Sequence, residues 1–142
     1  VALLIVGITA TWFLLGRQRT QNDAASASRG APSAVVAEVD LRPFGVARSD
    51  QEAPGVMPVS LPAGRVDAML FLPVGSEPGP YDIQLLDGDL KSLASSRAEA
   101  VIKNYVTTVQ ATLDLRSVPR GTYRLAVRRQ GDDWRMFPAR VE

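Results

Sequence analysis

The sequence predicts an all-β fold: an immunoglobulin-like antiparallel β-sandwich preceded by one transmembrane α-helix and a flexible linker. Three observations carry the expectation. Val1 to Leu15 hold no charge. A small, polar stretch follows, with little that can fill a core. From residue 34 onward, short runs of alternating apolar and polar residues are broken by Pro and Gly at roughly ten-residue spacing, and no run carries an amphipathic helical stripe.

The opening run VALLIVGITATWFLLG is assigned to a membrane span over residues 1–16. A full span needs about 20 apolar residues, so the expectation includes a first turn or two lying before Val1. A signal peptide is the alternative. It would begin with Met and a basic segment and end in small residues, but Trp12 and Phe13 stand where small residues belong. A soluble core helix fits poorly, because every face is apolar. Gly7, Thr9 and Thr11 weaken a soluble helix and are tolerated in lipid, and Trp12 suits the aromatic belt. Arg17 and Arg19 alone would put the following chain in the cytoplasm. The expected placement is the reverse, a single pass in a bacterial inner membrane with the C-terminal domain periplasmic, and it requires a more basic flank before the span.

Residues 17–33, through QRTQNDAASASRGAPS, read as a flexible tether. The domain follows at residues 34–142. VVAEVDLRPF alternates around Val35, Ala37, Val39 and Leu41. VMPVSL is a short run whose Pro58 suits an edge. RVDAMLFLP reads as a central strand and VGSEPGP as a loop. YDIQLLD places Tyr81, Ile83 and Leu85 on one face, and DGD (Asp87–Asp89) signals a tight turn. SRAEAVIKNYV is ambiguous, Ala-rich at first and β-branched later. VQATLDL turns Val109, Ala111, Leu113 and Leu115 inward, RSVPRG turns the chain, and TYRLAVRR turns Tyr123, Leu125 and Val127 inward. QGDD turns again and WRMFPARV closes, giving about eight strands.

Composition removes several functions. The 142 residues contain neither Cys nor His and carry a formal net charge of +1. Without Cys there is no disulfide, thiolate nucleophile or Cys-based zinc site. Without His, the commonest general base and metal ligand is missing. A non-enzymatic role is expected, with no catalytic residue, cofactor or metal. Ser76 in GSEPGPY has no His to activate it, and the segment matches neither a phosphate loop nor a nucleophile elbow.

LDLRSVPRGTYRLAVRR is the most specific segment. Gly121 and Tyr123 fit a tyrosine corner, in which a ring at a strand start sends its hydroxyl back to nearby backbone. VDLRPFGVARSDQ, LPAGRVDAMLFLPVGSEPGPYDIQLLD, that segment and WRMFPARVE follow the span and linker in order. This order resembles the C-terminal part of zinc-finger-type anti-sigma-factor-like bacterial membrane proteins of acidobacterial type. The resemblance implies a cytoplasmic zinc-binding domain before the span and a β-sandwich outside. The His/Cys motif of such proteins is not in these residues, so no sigma-binding residue carries over.

The remaining candidates each have a plainer reading. Asp87, Asp89, Asp132 and Asp133 offer oxygens to a hard cation, but turn chemistry accounts for all four. Arg116, Arg120, Arg124, Arg128, Arg129, Arg135 and Arg140 make the C-terminal third basic. Arg124, Arg128, Arg129 and Arg135 form a candidate face for anionic lipid or an acidic partner, weighed against a solvated face that discourages edge pairing. No basic helix or interleaved aromatics point to nucleic acid. Trp134 and Phe137 are assigned to core packing ahead of an exposed patch. The expected function is extracytoplasmic sensing or binding with an unidentified protein partner. The rivals are an accessory structural subunit of a membrane complex and an envelope adhesion or scaffold module.

Overall fold

Period-two alternation decides the architecture. In the computed structural model, which describes residues 33–46 and 55–142, eight strands form. They are β1 (Val35–Asp40), β2 (Val59–Leu61), β3 (Arg65–Phe71), β4 (Gly79–Leu86), β5 (Ser92–Lys103), β6 (Val106–Asp114), β7 (Gly121–Arg129) and β8 (Arg135–Val141). A 3₁₀ turn over Arg42–Val46 follows β1. The expected span and nearly all of the expected tether lie outside the described residues. Among the described residues, no helix is long and apolar enough to cross a membrane.

The strands make one hydrogen-bonded sheet in the order β1-β3-β6-β5-β4-β7-β8-β2. The six from β3 to β8 in that order are antiparallel neighbours throughout. The two outermost pairings are parallel: β1 on β3 and β2 on β8. These parallel edges depart from the wholly antiparallel arrangement expected from the sequence. They arise because the chain lays β1 on one edge and β2 on the other before β3 returns beside β1. The sheet rolls until β1 and β2 approach, a near-barrel with a seam between them.

Inward residues of every strand join one core. Val39, Leu61, Leu70, Ile83, Leu113, Leu125 and Val141 all belong to it and are buried. Val35, at the start of β1, is exposed, although its alternation with Ala37 and Val39 predicted an inward place. Full burial of such side chains contributes about 1.5–3 kcal/mol each.

One local module appears twice. At the end of β1, Asp40 takes the Arg42 backbone N–H at 3.0 Å and its guanidinium at 2.7 and 2.8 Å. At the end of β6, Asp114 takes the same groups of Arg116 at 3.2, 2.6 and 2.9 Å. The residues between, Leu41 and Leu115, are fully buried, and each carbonyl accepts from the residue three on, Phe44 or Val118. Asp-Leu-Arg is thus a strand exit: the Leu anchors, and the outward Asp and Arg clamp the turn.

The ambiguous segment is the longest strand, β5, and it turns into β6 through Asn104 and Tyr105. Both have positive φ, 49° and 64°, as a two-residue hairpin of this twist requires. Tyr105 is fully exposed there. An L side chain pays about 1–2 kcal/mol in the left-handed region. Tyr105→Gly is therefore expected to raise unfolding stability by about 1 kcal/mol, and Ile83→Ala in the core to lower it by about 2–5 kcal/mol. Denaturant titration of both variants checks the pair.

Candidate functional site

Strand direction gives the roll two ends. Residue 33 leads into β1 at one end. At the opposite, far end lie the β3–β4 loop, the β5–β6 hairpin and the β7–β8 loop, because Phe71, Gly79, Lys103, Val106, Arg129 and Arg135 all sit there in register. Loops held on a rigid sheet are where binding chemistry concentrates.

Hydrogen bonds fix these loops. Leu72 N–H donates to Thr107 O at 2.9 Å, and Thr107 Oγ1 donates to Ser76 O at 2.6 Å. Gln130 N–H donates to Pro80 O at 2.9 Å. Tyr81 Oη donates to Glu77 O at 2.8 Å. Burial pushes the Tyr81 hydroxyl above its ordinary pKa. At Gly79, φ is +131° and an added Cβ would meet Arg129 Nε at 3.3 Å. The guanidinium of Arg129 lies over that glycine and pairs with Glu77.

Between the β3–β4 and β7–β8 loops lies a cleft of about 350 Å³. Leu72, Val127, Tyr81 and Phe137 give it an apolar floor, and Glu77, Arg129, Asp132, Asp133 and Arg135 give it a charged rim. The mouth of a rolled sheet with an apolar floor and a few polar groups is a usual place for a small ligand or an inserted side chain. Among the described residues, Arg135 makes no ion pair. No group of His, Cys, Asp or Glu suited to a metal comes together among the described residues.

The four arginines grouped from the sequence divide between two faces. Arg129 stands opposite the inward Tyr81, and Arg135 opposite the inward Val127, so both face the mouth. Arg124 and Arg128 lie on the outer face of β7. Alternation separates Arg128, opposite Asp82, from Arg129, opposite Tyr81, so the single basic face expected from the sequence does not form. Arg128 reaches Asp82 at 3.2 Å and covers the Trp134 ring at 4.4 Å from its centroid. Arg97 reaches the same carboxylate at 2.7 Å. These two guanidinium groups, Arg97 foremost, hold Asp82 below its usual pKa.

Other candidates take structural places. Tyr123 Oη donates to Pro119 O at 2.7 Å, and its ring lies 3.7 Å from the position of a Cβ on Gly121. Gly121 itself is close to extended, with φ of 159°. Tyr81 makes the same bond four residues back, so Gly79-Pro-Tyr81 and Gly121-Thr-Tyr123 are two copies of one corner. The shared Gly-x-Tyr spacing was the available signal for the first copy. Asp87 Oδ1 accepts from the N–H groups of Asp89 and Lys91, each at 2.9 Å. Phe137 is buried edge-on to Phe44 at 5.4 Å, and Trp134 is half-buried under Arg128. Arg116 is clamped to Asp114, and Arg120 and Arg140 are exposed.

No protein-family model, curated protein or solved structure matches the chain.

The site and its frame set a pH response. The Arg116 side chain, then its backbone N–H, holds Asp114 down to about 2 from 3.8. Asp40 and Asp82 are lowered too, by their Arg42 and Arg97 partners first. A carboxylate lowered by folding stabilises above its unfolded pKa, and that contribution is lost as pH falls through the folded value. Stability is therefore expected to decline between about pH 4 and pH 2, with a shallower slope in Asp114→Asn. Urea midpoints measured across that range check it.

Proposed function

We propose that this chain is a membrane-tethered, non-enzymatic binding module of the anti-sigma-factor-like type. Its domain is an immunoglobulin-like sandwich on the periplasmic side of a bacterial inner membrane, and its far-end cleft takes the ligand or protein partner. The observation that carries this reading is the cleft: an apolar floor of Leu72, Val127 and Phe137 beneath a rim of both charge signs. Such a rim orients a partner by charge while the floor supplies burial. The uncharged run Val1–Leu15 supports the tether, and the missing His and Cys support binding over catalysis.

Two measurements test the reading. The chain has no Cys, so Asp133→Cys creates a unique thiol at the cleft rim. In intact cells a membrane-impermeant maleimide is expected to label it without lysis; labelling only after lysis contradicts the periplasmic placement. Methyl NMR of the chain against a library of short peptides and small amphiphiles tests the cleft. Binders are expected to shift Leu72 and Val127 together, and Ser76→Trp, which fills the mouth, to abolish the shifts. Binders that leave both residues unmoved place the site elsewhere.

A further inference from the structure

The outer surface of the roll leaves a surplus of arginines on one face, although the formal net charge is only +1. The outward positions of β1, β3 and β6 mix the two signs: Glu38, Asp40, Asp67 and Asp114 stand with Arg65, and Asp40 and Asp114 are paired with Arg42 and Arg116. The outward positions of β5, β4, β7 and β8 include Arg97, Arg124, Arg128 and Arg140. On that second face Asp82 is shared by Arg97 and Arg128, Glu99 lies toward the far end of β5, and Glu142 follows Arg140 by two residues without pairing with it.

Arg124 and Arg140 are left over. Arg124 stands opposite Pro138 and Arg140 opposite Thr122, so they are diagonal neighbours on one face. Such neighbours lie about 7–8 Å apart between Cα atoms, within reach of a single phosphate between two guanidinium forks. Neither makes an ion pair or side-chain hydrogen bond among the described residues. Beside them the face is partly apolar: Met136 is 45% exposed, and Leu86 and Ala126 lie buried beneath.

We propose that this outer face docks on an anionic phospholipid surface, with Arg124 and Arg140 engaging lipid phosphate and Arg97 and Arg128 flanking them. The proposal rests on the tethering part of the function proposed above and is independent of the cleft. A tether holds the domain at high effective concentration beside a bilayer, so a face of few arginines suffices. Charge complementarity selects the anionic surface, because Arg124 and Arg140, left without a carboxylate partner, stand together on the β7–β8 side of the roll and not on the mixed face of β1, β3 and β6.

The absence of Cys makes the test clean. A fluorescent donor is placed on Thr122→Cys, between the two arginines, or on Gln110→Cys, on the outer face of β6. The full chain is reconstituted in vesicles carrying an acceptor-labelled lipid, either phosphatidylcholine alone or mixed with phosphatidylglycerol. Energy transfer at residue 122 is expected to exceed that at residue 110 severalfold in the phosphatidylglycerol vesicles only. The excess is expected to vanish near 1 M salt, where the Debye length is about 3 Å, and in R124E/R140E. R124Q/R140Q, which keeps size and hydrogen bonding, is expected to lose most of it, and circular dichroism confirms that both variants fold. Equal transfer at the two positions, or an excess that survives charge reversal or appears on neutral lipid, overturns the proposal. So does binding of inorganic polyphosphate through Arg124 and Arg140 without any dependence on vesicle composition. A chain that alkaline carbonate strips from the vesicles sinks the tether, and transfer at residue 122 on added vesicles then decides the docking by itself.

Discussion

The alternation of side chains along a twisted strand is the constraint on which this structure depends. Through the middle of β3, β4, β6 and β7 every second residue is apolar, and those rows meet in one core. A register slip of one residue in β4 would send Ile83 and Leu85 into solvent and bring Asp82 and Gln84 inside. The core therefore fixes register, register fixes the direction of each polar residue, and polar direction fixes where chemistry is possible. Arg128 and Arg129 are adjacent in sequence, yet one braces the outside and the other lines the mouth.

The ends of the strands are governed by a second device. Asp-Leu-Arg closes β1 and β6 with the same bonds, and the Gly-x-Tyr corners open β4 and β7 with a hydroxyl held by backbone four residues upstream. The Tyr81 corner is also part of the cleft, because the carbonyl it holds belongs to Glu77, which in turn holds Arg129. Frame and site are joined at that point. Loosening the corner would release a rim residue as well as a strand end.

The sequence shows some of this directly. β4, β6 and β7 stand out by period and β3 as an apolar run, while of Trp134 and Phe137, both assigned to the core, Phe137 lies in it and Trp134 is half-buried under Arg128 outside it. β5 does not stand out, because its middle residues are Ala and Ser, which neither alternate strongly in hydropathy nor disfavour a helix. Its turn lacks the glycine that marks most such hairpins, since Asn104 and Tyr105 take the left-handed positions themselves. In the β4–β5 turn the left-handed residue is Leu90, with φ of 63°, while Gly88 of the DGD signal is not left-handed. The parallel edges were not legible because partner choice is not a local property. The cleft was not legible either: it is assembled from residues near 72–77, 81 and 127–137, and no single run of sequence contains it.

One core and its strand-end clamps are expected to hold the edges as firmly as the middle, so that the far-end cleft and the basic face sit on a rigid frame. Native-state hydrogen exchange of the full chain tests this most directly. Leu41 N–H, bonded to Phe71 O at 2.9 Å, reports the β1 edge, and Glu142 N–H, bonded to Leu61 O at 3.0 Å, reports the β2 edge. Both are expected to open with the same free energy as the hydrogen-bonded amides between β4 and β7, in one cooperative unit. Exchange at Leu41 and Glu142 that is orders of magnitude faster, with the β4–β7 amides still protected, would contradict it.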